Sequence, residues 1–397
     1  MSPIQSGIET ETGAGSRAMA GLLELAERGT LPDAAIRLGI RRLIAERLAE
    51  VSAGGPEEQH ERFEALVAEL RRAPVAVATG AANDQHYEVP AELFRLTLGE
   101  HLKYSACLWP LDRIAPVETL DEAERRMLDL TVQRAGIRDG DRVLDLGCGW
   151  GSLSLWIAER FPGCRVTAVS NSASQRQVIE ERCRERGLDT VEVITADVNR
   201  LALERTFDRV VSVEMLEHVR NHPALFARVA AWLRPGGTFF VHVFCHRRFP
   251  YLFEPSEPEG AEGAGPAGST RSAGSTGSTQ STRSTSPGDW MARTFFTGGV
   301  MPSPELLLRC QDRLTVRRQW LLDGRHYERT ARAWLANLDR NRDAARRVLA
   351  GVHGAPEADR WLQRWRIFHM AVAELFGTRR GREWMVCHTL FENPAVR

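Results

Sequence analysis

Two carboxylates and an imidazole fall within one short segment, Glu214-Met215-Leu216-Glu217-His218, directly after the β-branched run 207–213. A carboxylate or imidazole placed beside a protonated amine can take its proton and free the nitrogen lone pair. Negative charge there also attracts a cationic substrate. On a helical turn, spacings of three and four place Glu214, Glu217 and His218 on one side. A second group, Asp145-Leu146-Gly147-Cys148-Gly149-Trp150-Gly151, sits where a short apolar run gives way to a helix. Glycines there let the backbone turn sharply and approach a ligand without interference from a Cβ. A dinucleotide fingerprint spaces its glycines G-x-G-x-x-G and ends the second strand with an acid. Here the spacing is G-x-G-x-G and the second strand ends in Ser170-Asn171. No pyrophosphate need be cradled, and Asp145 can face an ammonium group.

The elements that must position these groups are legible in the pattern. Runs at 142–146, 165–169, 191–194, 207–213 and 238–243 read as strands, with helical stretches such as 172–186 and 223–233 between them. Strands separated by helices predict an α/β fold, a doubly wound, mostly parallel sheet covered on both faces. Such sheets bind ligands at the carboxyl ends of their strands. Ahead of the sheet, apolar stripes at spacings of three and four predict a helical preface over 17–75, preceded by a disordered terminus at 1–16. The stretch 255–288 holds Gly-Ser-Thr repeats and no large apolar residue, which predicts a disordered insertion. Six of the ten Trp lie beyond it, so 289–397 is expected to be ordered, ending in a strand at 383–391.

Composition narrows the class. The 397 residues carry 52 Lys+Arg and 52 Asp+Glu, and this zero balance argues against a general grip on nucleic acid. No apolar run approaches the ~20 residues of a membrane-spanning helix. Met1–Gln5 and the residues after it lack the basic start and apolar block of a signal peptide, so a cytoplasmic protein is expected. Cys107, Cys148, Cys164, Cys183, Cys245, Cys310 and Cys387 show no C-x-x-C spacing, so neither a metal site nor a disulfide framework is expected.

The glycine turn resembles that of S-adenosylmethionine-dependent methyltransferases. Ala196-Asp197, Phe207-Asp208 and Leu233-Arg234-Pro235-Gly236-Gly237 follow it at the spacing of that family. The stretch 83–90, then Leu102-Lys103-Tyr104-Ser105-Ala106-Cys107, Glu214–Val219 and His326–Thr330, is similar to the cyclopropane-fatty-acid synthase superfamily. Within it, 295–303, 371–377 and 383–386 most resemble coclaurine-type N-methyltransferases. The resemblance implies a seven-stranded Rossmann-like sheet in a domain at 126–397, a helical extension at 17–125 and a helical substrate cap at 289–380; the sequence leaves the oligomeric state open, with a homodimer among the options. It implies S-adenosylmethionine as cofactor. Tyr104 and Ser105 would contact it, Asp145, Gly147, Gly149 and Gly151 would lie at its amino-acid part, Ser170, Asn171 and Gln175 would reach the ribose, and Ala196 and Asp197 would hold the adenine. Asp197 also reads as a helix N-cap.

Two acceptors fit this resemblance. One is a small amine with an aromatic portion, with Glu214, Glu217, His218 and Tyr327 as the catalytic set. The other is the unsaturated acyl chain of a phospholipid, for which the resemblance implies a bicarbonate held by Glu217, His242 and Tyr327. Two departures weigh against the lipid reading. Ala106 stands where the lipid enzymes place a cysteine, and Glu214 stands where they place a glycine. His242 also reads as a core histidine, Tyr327 as an interface aromatic, Cys107 as a packing residue, and Trp334, Trp361 and Trp365 as core.

Overall fold

Each of the five β-branched runs becomes a parallel strand, because an apolar run flanked by helices can bury both faces only inside a covered sheet. They are β1 (Arg142–Leu146), β2 (Arg165–Ser170), β3 (Val191–Thr195), β4 (Phe207–Val213) and β5 (Leu233–His246). The computed structural model describes residues 21–77, 89–111, 119–253 and 289–395. The expectations for 1–16, for 83–88 and for the Gly/Ser/Thr-rich segment at 255–288 lie outside the described residues. Two short strands, β6 (Tyr251–Leu252) and β7 (Val300–Met301), pair with each other. The last two, β8 (Thr315–Leu322) and β9 (Trp384–Glu392), complete a seven-stranded sheet in the order β3-β2-β1-β4-β5-β9-β8. β9 runs antiparallel between β5 and β8. The order reverses between β1 and β4, the switch point where a crevice opens at the strand ends.

Local sequence sets the helix boundaries around this crevice. Thr119 and Glu122 cap the helix Leu120–Ala135 reciprocally, and Gly136 ends it in the left-handed region at φ 69°. Ser172 caps Ala173–Arg186 through its side chain, which accepts from the Gln175 N–H. The helical preface wraps the outside. Helix Asp33–Val51 packs on Ala358–Gly377, with Arg37 and Arg41 both on Glu374. Helix Pro56–Arg72 packs on His222–Trp232, and the segment after it is tied down by a bond from the Arg220 N–H to the Val75 carbonyl.

Two expected boundaries change. The division at 125/126 cuts through the helix Leu120–Ala135, which packs on β5, so that whole helix belongs with the sheet. The span 289–380 is not wholly a helical cap, since β8 lies inside it and joins the sheet edge. Its sequence, Thr-Val-Arg-Arg-Gln-Trp-Leu-Leu, hides it, because an edge strand with charged side chains lacks an apolar alternation. Three longer helices of that span, Arg325–Arg340, Arg342–His353 and Ala358–Gly377, pack on one another over the crevice side.

Candidate active site

The glycine turn closes the end of β1. Gly147, Gly149 and Gly151 adopt φ of 86°, 53° and 80°, which an L side chain rarely allows. The N–H groups of Gly147 and Cys148 both donate to the Val169 carbonyl, which fastens the turn to β2. A Cβ at Gly147 would strike the Met215 side chain, and one at Gly151 would strike Ile179. One at Gly149 would meet nothing within 4 Å, because Gly149 faces open space. That space is a cavity of about 1930 Å³ including its mouth.

Polar groups gather on the sheet side of the cavity. Asp145 is buried on its wall, accepts a 2.6 Å bond from Ser154 Oγ, and has its carboxyl pushed up to about 6 by burial. Ser170 donates to Gln175 Oε1 at 2.6 Å, and both line the cavity with Asn171. At the end of β3 the wall is made by Ala196 and Val198. Asp197 is not on it. Its Oδ1 accepts from the Asn199 N–H at 2.8 Å, and Val198, which the sequence reading did not name, lines the cavity in its place.

The segment before the sheet is held by a buried carboxylate. Glu124 accepts from the N–H groups of Gly99, His101 and Lys103, and burial pushes it up to about 7. Lys103, also buried, donates through Nζ to Ser105 Oγ and the Ala106 carbonyl. This presents Lys103, Tyr104 and Ser105 to the cavity. Cys107 is packing, as expected, with its thiol pushed far up by burial.

At the end of β4, Glu214 takes a left-handed φ of 49°, fixed by the bond from its N–H to the His242 carbonyl. Its carboxylate gathers three donors. The Ala106 N–H reaches Oε1 at 2.8 Å, His242 Nε2 reaches the same oxygen at 3.2 Å, and the Tyr327 hydroxyl reaches Oε2 at 2.6 Å. Burial raises the Glu214 pKa, against the pull of Lys103, Tyr327 and the Ala106 N–H. His218 lines the same cavity with its ring against Phe296.

Glu214, Glu217 and His218 do not share a helical face. The left-handed turn at Glu214 breaks the helix, and only Leu216–His218 form a 3-10 turn. Glu217 therefore points behind the wall, where Oε1 accepts from the Phe244 N–H at 2.8 Å and Oε2 has no partner among the described residues. Burial, with the neighbouring Glu214 charge, holds its pKa well above the carboxylate range. The bicarbonate ligands expected by resemblance fare no better as a set. His242 and Tyr327 are both engaged on Glu214, and Glu217 lies off the cavity wall, so these residues do not fit a bicarbonate.

The opposite wall is aromatic and was not read from sequence as a binding surface. Phe244, Phe253, Phe296, Phe368 and Phe376 line it, with Tyr327 stacked on Phe376 at 4.4 Å between centroids. Phe296 lies inside a stretch that carried the family resemblance, and Phe376 inside another, but a lone aromatic at helical spacing reads as core. Trp334 and Trp365 are core, and Trp361 stacks on His353.

The fold and this cavity define an S-adenosylmethionine-dependent methyltransferase. Gly149 faces the open cradle, and the polar wall offers a carboxylate, a hydroxyl and amides after β1 and β2, with an apolar Ala196 and Val198 at the end of β3, so the residues fit the cofactor. The chain belongs to the mycolic acid cyclopropane synthetase family, which matches residues 78–380. It is 35% identical to an (S)-coclaurine N-methyltransferase of Thalictrum flavum subsp. glaucum over 375 residues, 94% of this chain and 95% of that protein. A cyclopropane-fatty-acyl-phospholipid synthase of Escherichia coli (strain K12) is 28% identical over 252 residues, covering 63% of this chain and 54% of that enzyme. Among solved structures, coclaurine N-methyltransferase bound to N-methylheliamine and SAH superposes with a TM-score of 0.83 at 35% identity, covering 94% of this chain and 99% of that one. Among the described residues, no helix is long and apolar enough to cross a membrane.

Proposed function

We propose that this enzyme methylates the nitrogen of a small amine bearing an aromatic portion. The observation that carries the reading is the Glu214 carboxylate, which draws in the Ala106 N–H, His242 and Tyr327 together. An acid built into the chain at that point attracts a cationic amine and accepts its proton. A carbocation chemistry that needs a separate anion finds those donors already engaged. Relatives named as N-methyltransferases of coclaurine and pavine support a nitrogen acceptor.

In this reading the Gly147–Gly151 turn and Asp145 hold the amino-acid part of S-adenosylmethionine, Ser170, Asn171 and Gln175 the ribose, and Ala196 and Val198 the adenine, with Tyr104 and Ser105 closing over it. When bound, the cofactor supplies an electrophilic methyl group for in-line attack. The chain's own work is to orient the amine and remove its proton. Glu214 is the base, raised by burial toward the pH at which it can exchange protons with an ammonium. His218, on the same wall, contacts the substrate nitrogen. The faces of Tyr327, Phe376 and Phe296 pack the aromatic portion and favour a positively charged nitrogen by cation–π attraction.

Labelled S-adenosylmethionine offered with (S)-coclaurine and with unsaturated phospholipid tests the assignment. Label in the extracted amine is expected. Label in lipid with none in amine would overturn it.

A further inference from the structure

A chain of buried hydrogen bonds leaves the active site through the sheet. His242 on β5 bonds Glu214 through Nε2 and meets His388 Nε2 on the neighbouring strand through Nδ1, at 2.9 Å. His388 Nδ1 in turn meets Arg134 Nη1 at 2.8 Å. Both histidines are wholly buried, whereas Arg134 is half-buried near the end of Leu120–Ala135, with its guanidinium over Trp320. Glu214, His242, His388 and Arg134 come from four separate parts of the chain.

The direction of this chain follows from chemistry alone. A guanidinium donates and never accepts. His388 Nδ1 must therefore be the acceptor, which puts the His388 proton on Nε2. His388 then donates to His242 Nδ1, and His242 is left with its proton on Nε2, aimed at Glu214 Oε1. Burial and the nearby cations hold both rings neutral, so each carries one proton.

We propose that Arg134 and His388 are positioning residues for the reaction: acting through His242, they lock every link of the chain so that it donates toward the Glu214 carboxylate. The proposal rests on Glu214 being the base. The lock keeps that base ionised. If the chain ran the other way, His242 would present a lone pair to Oε1, and Glu214 would have to be protonated to satisfy it. The same polarity rules out a proton wire, since no link can accept a proton from Glu214 and Arg134 cannot release one. Oε1 already accepts two bonds and Oε2 one. The amine proton therefore goes to Oε2 and returns through the cavity. The other charged and titratable groups around the chain are Lys103, Tyr327 and Glu217 near Glu214, His326 and Lys103 near His388, and Arg318 across Trp320 from Arg134.

Two measurements test the lock. Ring-nitrogen NMR of the ¹⁵N-labelled wild-type protein should find His242 and His388 both protonated at Nε2 and bare at Nδ1. A proton on Nδ1 of either ring would overturn the proposal. This measurement needs no acceptor, so it decides the lock even if the protein methylates no amine. Second, with (S)-coclaurine as probe, Arg134→Met should raise the acid limb of kcat/KM by about one pH unit, a tenfold loss below the limb and none above it. Arg134→Lys, still a pure donor, should stay within a few-fold of wild type. His388→Phe should give the same shift as Arg134→Met and replaces it if that variant does not fold. An acid limb unmoved in folded Arg134→Met or His388→Phe, at any level of activity, would reduce the two residues to packing and overturn the proposal.

Discussion

Replacing Glu214 by Gln separates charge from shape at the centre of the site. Gln fits the same space, and the three donors around the carboxylate dictate how. Its carbonyl oxygen must take the Oε1 place, since both the Ala106 N–H and His242 Nε2 donate there. Its amide nitrogen then takes the Oε2 place, where the Tyr327 hydroxyl can rotate to accept instead of donate. The Ala106 and His242 donors keep their acceptor, while the displaced Tyr327 proton and the second amide hydrogen have the cavity to turn to, so the variant should melt near the wild-type temperature and bind S-adenosylmethionine unchanged. What it loses is the base. Turnover on an amine should fall by about 10²–10⁴, or about 3–5 kcal/mol of barrier. The pH dependence carries the sharper signature. In the wild type, burial raises the Glu214 pKa from its ordinary value, and activity falls as pH drops through it. In Glu214→Gln the only reactive species is the free amine, which grows about tenfold per pH unit below the amine's own pKa. The deficit should therefore shrink steadily as pH rises, measured as kcat and kcat/KM with radiolabelled cofactor over pH 6–10. A mild deficit with no pH dependence would refute the base assignment and with it the amine reading.

Other outcomes follow from single residues. Gly149→Val, whose side chain projects into the open cradle at a φ that a β-branched residue adopts only with strain, should abolish S-adenosylmethionine binding by calorimetry, with circular dichroism showing that the fold survives; Gly147→Val tests less cleanly, because it also strikes Met215. Asp145, held near 6 by burial, must be ionised to meet an ammonium, so wild-type cofactor affinity should fall about tenfold per unit as pH drops below that value. Asp145→Asn should bind weakly at neutral pH and lose this pH dependence. Tyr327→Phe removes one of the donors on Glu214 and should cost about tenfold in kcat/KM with an upward shift of the acid limb. A loss of about 10³ or more with the limb unmoved would favour an anion site of the lipid-synthase kind.

The sequence alone determined the parts that depend on neighbours along the chain. β1 to β5 were visible because each apolar or β-branched run is bounded by turns and helices. The cradle was visible because a strand that ends in Gly147-Cys148-Gly149-Trp150-Gly151 can hardly do anything but turn. Ser170, Asn171, Gln175 and Ala196 were named by the family resemblance, and the parallel sheet brings them to one cavity by gathering the carboxyl ends of its strands. The tertiary structure decided everything that depends on which distant segment comes to lie alongside. β8 joins the sheet only because the β9 edge accepts its backbone, and its charged side chains gave no apolar pattern to read. Glu217 points away from the cavity because one left-handed residue, Glu214, rotates the turn after it, and that φ is imposed by the bond to the His242 carbonyl on β5. Glu214 gains its donors from residues 106, 242 and 327, and the chain behind it continues to 388 and 134. Sequence names the acids and the histidines. Which of them is ionised, and which way each hydrogen bond runs, is settled by burial and by the single donor-only guanidinium that the fold sets at the end of the row.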